Sequence, residues 1–143
     1  MDGDRVETGN GPVSAADRFV HGLGIRLRSL EVGRAVVELE VTAGHCNDVG
    51  VVHGGVLFTL ADAALAAASN ARVGELAVAI TGTIHFLQPA RPGDRLVAEA
   101  TEDRRGGRLG TYAIRVREGE EVIATAVAST LLVGRRAGDH SAT

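Results

Sequence analysis

The sequence contains no lysine, because all 15 of its basic residues are arginine. This absence excludes a Schiff-base lysine, a pyridoxal phosphate anchor and the phosphate-binding lysine of a P-loop. Tryptophan is also absent and aromatic residues make up only 3% of the chain, which leaves few side chains on which nucleic-acid bases could stack. The formal net charge of -3 likewise argues against a nucleic-acid-binding protein, which normally carries a basic face.

Cysteine is almost absent as well. With Cys46 alone, the chain forms neither an internal disulfide nor a thiolate metal cage, and the composition fits a reducing cytoplasm. The first residues include several acidic side chains and no apolar run, unlike a signal peptide. The longest apolar stretch, residues 56–68, is too short to span a bilayer and contains Asp62. We therefore interpret this stretch as a buried core helix.

The length of 143 residues predicts a single domain. We expect the folded domain over residues 14–133, between disordered tails at 1–13 and 134–143. A short helix is expected to start at Ser14, a plausible N-cap. Residues 56–71 are rich in alanine and free of glycine and proline, so they predict one long helix. Because this helix is apolar almost all round, it should be surrounded by protein.

The rest of the chain alternates apolar and polar residues with a period of two, which is typical of strands. The predicted strands are residues 25–30, 35–41, 77–87, 95–105, 109–117 and 121–132. One buried helix and about five or six antiparallel strands predict an α+β fold in which a single curved sheet wraps the helix, which is the hotdog fold. One side of the helix stays uncovered in such a monomer, so pairing with a second subunit is expected.

Asp62 is the residue in the apolar run that needs an explanation. A buried carboxylate is unfavourable unless it is paired or functional. One interpretation is a general base or nucleophile whose reactivity is set by its dry surroundings. The other is a structural carboxylate that accepts from a backbone amide or from an arginine across a dimer.

Gly54 and Gly55 open the same helix. First-turn amides have no intrahelical partner and the helix dipole favours negative charge there, so this end predicts an oxyanion-binding site. A tight turn that simply requires glycine is the alternative. Because Gly54 and Asp62 lie about 12 Å apart on one helix, they can act on one carbonyl only if the acid comes from an antiparallel helix of a second subunit. Twofold symmetry would then create two composite sites.

Two segments of the chain resemble a known family. The first reads Asn47-x-x-Gly50-x-x-His53-Gly54-Gly55 and continues as Phe58-x-Leu60-Ala61-Asp62. The second reads Ile84-His85-Phe86-Leu87-Gln88-Pro89, followed by Gly93-Asp94. Together they resemble the signature of the phenylacetate-pathway (PaaI-like) thioesterases of the hotdog superfamily, and the resemblance extends over residues 25–133.

The resemblance implies an acyl-CoA thioesterase that releases a free acid and coenzyme A. It implies that the Gly54 amide polarises the thioester carbonyl and that Asp62 of the opposite subunit activates water or attacks the carbonyl. Asn47 would help to hold the water or substrate, and His53 would orient the loop and hydrogen-bond near the thioester. No metal or organic cofactor is implied, since coenzyme A belongs to the substrate. Members of the family are commonly homotetramers built from dimers.

Several further residues are candidates for contact with the substrate. Some members of the family carry a hydroxyl one turn after the acid, where this chain has Leu65 and Ala66, and others have a serine where it has Ala79. Thr81 or Thr83 is a candidate replacement for that hydroxyl. Gly55 can admit a substrate carbonyl, while Leu57 and Leu60 would line the pocket. His85 either faces the site or fills space. The remaining candidates surround a predicted hairpin tip, where they either meet the phosphates of coenzyme A or are simply solvated: Arg104, Arg105 and Arg108.

Other chemistries remain as alternatives. Cys46 is either a nucleophile or a small packing residue, and His45 with His53 lacks a third metal ligand at suitable spacing. A hotdog enoyl-CoA hydratase or dehydratase would pair a histidine with an acid, and a non-catalytic acyl-CoA-binding protein would bind without turnover. Release of free thiol distinguishes the thioesterase from both.

Overall fold

The fold is given by a computed structural model, which describes residues 5–12 and 17–135. Within these ranges the chain forms seven strands and two helices, with a short 3-10 turn at Ala43–His45. The elements in chain order are β1 (Arg5–Pro12), α1 (Arg18–Gly22), β2 (Arg26–Glu31), β3 (Arg34–Glu40), α2 (Gly54–Ser69), β4 (Glu75–Phe86), β5 (Arg95–Gly106), β6 (Leu109–Glu118) and β7 (Glu121–Arg135).

The strands form one antiparallel sheet in the order β1-β2-β3-β5-β6-β7-β4, and α2 packs against it. The period-two pattern of the sequence is visible in the burial of the central strands. Alternate side chains are buried in the core: Leu96, Ala98 and Ala100 in β5, and Tyr112, Ile114 and Val116 in β6. The predicted α+β hotdog fold, with a long central helix and a short N-terminal one, is confirmed. In the described part of the chain, no helix is long and apolar enough to cross a membrane.

Helix α2 is fixed at both ends by side chains. His53 caps the start of the helix. At its end, the side-chain Nδ2 of Asn70 donates to the carbonyls of Ala66 and Ala77, and Oδ1 of Asn70 accepts from the backbone amide of Ala77. The many alanines allow the sheet to approach closely, and Leu60 is fully buried. The helix is not covered all round, because its exposed residues recur every three or four positions. They form one exposed stripe: Gly55, Phe58, Asp62 and Ala66.

The sequence did not predict the strand over residues 5–12, which we expected to belong to an unstructured tail. These residues form β1, which pairs antiparallel with β2 across two register shifts. Backbone groups along a sheet edge can pair with an extended segment whatever its side-chain pattern, so periodicity did not reveal this strand. Helix α1 is capped by Asp17, which accepts from the Val20 amide at 3.1 Å, and the predicted cap Ser14 lies outside the described residues. Strand β7 continues to Arg135, beyond the predicted domain end at 133, and residues 136–143 are also outside them.

Strand β4 is the edge strand beside the exposed stripe of α2. It pairs with β7 on one side only. Ala79 lies opposite Thr130 while Thr81 lies opposite Ser129, so Ile80 is the extra residue of a bulge. Bulges of this kind are frequent at sheet edges and next to active sites. Several large apolar side chains of β4 are exposed, including Ile80 at 49% and Phe86 at 54%, which is typical of a surface that pairs with another chain.

Candidate active site

The N-terminus of α2 presents one unused backbone donor. The Gly55 amide donates to Nδ1 of His53 at 3.1 Å, so the helix cap occupies that amide. Among residues 17–135, the Gly54 amide has no acceptor. A first-turn amide that points out of the helix with no partner favours a developing negative charge. Of the two glycines, Gly54 therefore has the free donor.

The cap also fixes which tautomer a neutral His53 side chain adopts. Because Nδ1 accepts the Gly55 amide, a neutral imidazole must carry its proton on Nε2. The side chain is exposed, so this N–H is directed away from the cap and can donate to a bound group. The structure thus assigns His53 a capping role and leaves it one free donor.

Gly54 has little space for a side chain. A Cβ atom at this position would lie 3.2 Å from Cζ of Phe86, so the ring lies against the glycine backbone. Gly54 and Leu57 also line a cavity of about 390 Å³ whose other walls come from the loop before α2 and the residues after β4. We call it the Gly54 cavity. Its remaining lining residues are Val51, Val52, Phe86, Leu87, Gln88, Pro89 and Ala90.

Asp62 lies on the exposed stripe of α2, two turns after Gly54. In the described part of the chain, no donor hydrogen-bonds to its carboxylate and no basic group forms an ion pair with it. Although one side of Asp62 is open to solvent, partial burial by the surrounding residues raises the pKa of its carboxyl group above the ordinary value, and the nearby charge of Asp17 raises that pKa further. The carboxylate is thus poised as a proton acceptor stronger than an ordinary surface aspartate.

Two cavities adjoin Asp62. The first, of about 250 Å³, lies between α2 and the sheet and is lined mainly by apolar residues of α2, β4, β6 and β7. We call it the inner cavity. Its lining residues are Phe58, Ala61, Asp62, Leu65, Ala79, Ile80, Thr81, Gly82, Ile114, Ala126, Val127 and Ala128. The second, of about 320 Å³, lies towards α1 and is called the α1 cavity; it is lined by Asp17, Phe19, Val20, Phe58, Thr59 and Asp62.

Gly54 and Asp62 belong to the same straight stretch of helix. At a rise of 1.5 Å per residue, the eight positions between them correspond to about 12 Å along the axis. One carbonyl and its attacking water cannot contact both groups across that span. A single subunit therefore does not bring these two candidate groups together at one carbonyl.

Asn47 holds the loop that leads to α2. Its Oδ1 accepts the amides of Val49 at 3.0 Å and Val51 at 3.3 Å, as in an Asx turn. Its side-chain N–H groups have no acceptor within the described ranges. The loop is closed by a bridge between Cys46 and Val52, so the side chain of Asn47 supports the backbone just before His53.

The neighbouring residues with reactive side chains have structural partners. Nδ1 of His45 accepts the Thr42 amide at 2.9 Å, and its Nε2 bonds the carbonyl of Leu23 at 2.7 Å. The Cys46 thiol donates to the carbonyl of Thr42 at 3.6 Å. Both side chains pin this loop to the fold, which favours the packing interpretation of Cys46 over the nucleophile.

The β4 candidates separate into two groups. Thr81 lines the inner cavity beside Asp62, together with Ala79. Thr83 and His85 are exposed on β4 and line neither the inner cavity nor the Gly54 cavity. Of these β4 candidates, Thr81 is thus the hydroxyl that lines the same cavity as Asp62 within one subunit.

The arginine-rich hairpin between β5 and β6 lies at the far end of α2. Arg72, just beyond the helix, donates two hydrogen bonds to Glu102 at 3.0 and 3.1 Å, and the Tyr112 hydroxyl donates to the same carboxylate at 2.9 Å. Burial and this bond raise the pKa of Tyr112 to about 12. The network fixes the hairpin against the C-terminal end of α2, away from Gly54 of the same subunit.

The three arginines of this hairpin differ in what they contact. Arg105 forms an ion pair with Glu75 at 2.9 Å and is largely covered, so it is already neutralised. Nε of Arg108 donates to the carbonyl of Leu132 at 3.0 Å. Arg104 is exposed. Arg104 and Arg108 thus leave guanidinium groups facing solvent.

Three residues around the site had no role assigned from the sequence. Phe58 lies four positions before Asp62, so helical periodicity alone could have placed both on one face. The contact of Phe86 with Gly54 and the charge of Asp17 near Asp62 depend on tertiary packing between elements distant in sequence. No local pattern in the sequence carries that information.

The sequence pattern of the thioesterase superfamily matches residues 49–131, a range that runs from the loop before α2 into β7. Acyl-coenzyme A thioesterase PaaI of Escherichia coli is 43% identical over 100 residues, 70% of this chain and 71% of that protein. The solved structure of the E. coli PaaI protein superposes with a TM-score of 0.81 at 37% identity, covering 85% of this chain and 88% of that one.

Two further relatives extend the comparison. A putative esterase of Archaeoglobus fulgidus is 41% identical over 101 residues, which are 71% of this chain and 65% of that protein, so the match spans just under two thirds of that relative. The crystal structure of smu.793 from Streptococcus mutans, bound to acetyl CoA, has a TM-score of 0.72 at 27% identity. It covers 77% of this chain and 89% of that one.

Proposed function

The chain belongs to the thioesterase superfamily as a PaaI-like acyl-CoA thioesterase, and from this premise we propose that it hydrolyses its thioester at composite sites between two subunits. The observation that carries this proposal is the pair of unpartnered groups on α2. The Gly54 amide is a free donor at one end, and Asp62 is a carboxylate of raised pKa two turns later. Each is complementary to one half of a hydrolysis reaction, and neither can complete it alone.

A twofold axis at the exposed edge of β4 would bring the halves together. Pairing two β4 edges antiparallel continues the sheet from one subunit to the next and sets the two α2 helices side by side in opposite directions. Gly54 of one helix then lies beside Asp62 of the other. The exposed apolar residues of β4, including Ile80 and Phe86, would be covered by the same contact. Association of two such dimers into a tetramer is a further prediction, as is a cytoplasmic location.

The chemistry follows from the two groups. The thioester carbonyl oxygen accepts a hydrogen bond from the Gly54 amide, which stabilises the negative charge that develops on it. The Asp62 carboxylate takes a proton from water, which attacks the carbonyl carbon, or it attacks that carbon itself and water then hydrolyses the resulting anhydride. The C–S bond breaks and the thiolate of coenzyme A leaves with a proton.

The residues around these groups have supporting roles. Nε2 of His53 donates near the thioester, while Asn47 keeps the backbone before α2 in place and offers its free N–H groups to water or substrate. Thr81 beside Asp62 supplies the hydroxyl that other members carry elsewhere. A hydratase remains the second enzymatic alternative and an acyl-CoA-binding protein the non-catalytic one, and the similarity to thioesterase sequences and structures favours hydrolysis over both.

Free-thiol release from a panel of aryl and straight-chain acyl-CoAs tests the proposed function. The wild-type protein should release coenzyme A from at least one of them, without added metal. Hydration of an enoyl-CoA with no thiol release would identify the hydratase. Saturable binding without any turnover would identify the acyl-CoA-binding protein.

The pKa of Asp62 predicts the acidic limit of the reaction. Because the carboxylate must be ionised to act, kcat/KM should fall as the pH drops through its pKa, above the ordinary aspartate value of about 3.9. Burial is the main cause of the raised pKa and the charge of Asp17 the second. Asp17→Asn should therefore move the acidic limb to lower pH, while an asparagine cap preserves α1. A limb that stays in place would contradict this coupling between Asp17 and Asp62.

The hairpin between β5 and β6, which carries Arg104 and Arg108, is our candidate for the site that binds the phosphate groups of coenzyme A. In the antiparallel pair, Gly54 of one subunit lies beside Asp62 of the other. The second subunit's α2 continues past that site towards Arg72, ten positions and about 15 Å further along the helix direction. We expect Arg104→Ala combined with Arg108→Ala to raise KM for acyl-CoA by about three- to tenfold, as loss of charge-assisted hydrogen bonds would.

A truncated substrate provides the control for the hairpin. KM for the matching thioester of N-acetylcysteamine, which lacks the phosphates, should not change in the double variant. A Glu75→Gln variant, which releases Arg105 from its ion pair, serves as a second comparison and should not weaken acyl-CoA binding. An equal loss for both substrates would mean that the hairpin acts on the fold and not on coenzyme A.

A further inference from the structure

Glu102 lies where several elements of the fold meet. Its carboxylate accepts two hydrogen bonds from Arg72, just beyond the end of α2, and one from the Tyr112 hydroxyl of β6. Its backbone amide donates to the carbonyl of Gly33, in the turn between β2 and β3, at 2.7 Å. Glu102 therefore ties β5 to the end of the helix, to the neighbouring strand and to this turn, although no step of the proposed hydrolysis uses it.

Strand β5 changes its side-chain alternation directly after Glu102. In the ladder between β5 and β6, Glu102 lies opposite Tyr112. The next residue along β6, Thr111, is paired with Arg104 and not with Asp103. Asp103 is therefore the extra residue of a β-bulge, and such bulges re-aim the side chains that follow them. Buried and exposed side chains alternate before the bulge, whereas Asp103 and Arg104 are exposed one after the other.

The bulge determines which of two adjacent arginines faces solvent. In a regular ladder, Arg104 would lie opposite Gly110 and point inwards, in phase with Glu102. In the structure it is Arg105 that lies opposite Gly110, and its largely covered side chain forms the ion pair with Glu75. Arg104 is exposed instead. The bulge thus directs one guanidinium into the fold and leaves the other free for a ligand.

The hydrogen bonds of Glu102 hold this register. Tyr112 is its partner in the ladder, so the bond between the two side chains reinforces the last regular pair before the bulge. The hydrogen bond from Arg72 is the main cause that lowers the pKa of Glu102, and burial opposes this shift. The carboxylate is therefore ionised at neutral pH, and hydrogen bonds to an ionised group are stronger than those between neutral groups.

We propose that Glu102 is a positioning residue for substrate binding, because it holds the bulge that turns Arg104 outwards to the phosphate groups of coenzyme A. The carboxylate does not contact the substrate and acts through the β5–β6 hairpin. This inference rests on the proposed function, since it takes that hairpin as the site that binds the phosphates.

The test compares KM for an acyl-CoA with KM for the matching thioester of N-acetylcysteamine. Glu102→Gln keeps the size of the side chain and removes its charge. It should raise KM for acyl-CoA by about threefold, because it weakens the charge-assisted bonds of the hairpin without removing the arginines. Neither kcat nor KM for the truncated thioester should change. Tyr112→Phe removes a single hydrogen bond and should cause a smaller change in the same direction, which keeps the test open should Glu102→Gln not fold.

A double-mutant cycle distinguishes positioning from a general effect on the fold. In the Arg104→Ala/Arg108→Ala background, Glu102→Gln should cause no further rise in KM, because effects that act through the same group are not additive. Glu99→Gln is the matched control. It makes the same chemical change in the same strand, at a carboxylate that is also paired with arginines, and it should leave KM for both substrates at the wild-type value.

The outcomes separate this inference from the proposed function. No thiol release from any acyl-CoA by the wild type would overturn the proposed function and the inference with it. Turnover in which Glu102→Gln raises KM equally for both substrates would overturn the inference alone. The same conclusion would follow if Glu102→Gln raised KM by the same factor with and without the two arginines, or if neither it nor Tyr112→Phe changed KM for acyl-CoA.

Discussion

Asp62→Asn should lower kcat for acyl-CoA hydrolysis by about 10²–10⁴-fold, the range contributed by a positioned general base. The amide has nearly the same size as the carboxylate but cannot accept the proton of water at neutral pH or attack the carbonyl. Since the side chain has no hydrogen-bond partner in the described part of the chain, no structural contact is lost. Thiol release measured at saturating substrate gives the comparison with wild type.

The same substitution should make the protein more stable at neutral pH. The folded-state pKa of Asp62 is raised by burial and by Asp17, so the folded protein holds this proton more tightly than the unfolded chain does. The contribution of Asp62 to stability is therefore greatest below the unfolded pKa and is lost as pH rises through the folded pKa. At neutral pH the ionised carboxylate destabilises the fold, and replacing it should raise Tm.

A surface carboxylate provides the control for both effects. Glu121 is exposed at the start of β7, and Glu121→Gln makes the same chemical change away from the site. It should leave kcat and Tm close to their wild-type values. An Asp62→Asn protein that keeps most of its activity, or one that unfolds, would contradict the catalytic assignment.

The sequence predicted most strands because each central strand has one face against α2. In β5 and β6 the buried side chains alternate strictly, and the predicted bounds differ from the observed ones by at most one residue. Strand β1 was not predicted because it pairs with β2 through backbone groups, which impose no side-chain pattern. Pairing with an edge depends on tertiary context, and local periodicity does not record it.

The candidate site likewise contains some residues that the sequence could predict and some contacts that it could not. Asp62 was noticeable as the one charge in an apolar helix, and Gly54 and Gly55 as two first-turn amides. Only the structure shows which of the two amides is free to donate. The Gly55 amide donates to Nδ1 of His53, a contact that the sequence does not specify. The ion pair of Arg105 with Glu75 likewise depends on packing between distant segments.

Subunits with complementary defects should restore activity to each other. We expect heterodimers of an Asp62→Asn chain and a Gly54→Pro chain to have about half of the wild-type kcat per dimer, because one of the two composite sites keeps both native groups. Each variant alone should be nearly inactive. Proline is tolerated at the first position of a helix and removes its N–H, and the extended conformation of His53, with ψ of 136°, suits a residue before proline.

Co-production with two different affinity tags, followed by purification on both, isolates the mixed species for this measurement. Gly54→Ala keeps the amide but adds a Cβ atom against Phe86, so it separates loss of the donor from crowding of the site. A heterodimer of Asp62→Asn with the double variant Asp62→Asn/Gly54→Pro has no intact site and should stay inactive. If the complementary heterodimer were equally inactive although both tags were present, Gly54 and Asp62 would not act across the interface, and the two-subunit site would have to be abandoned.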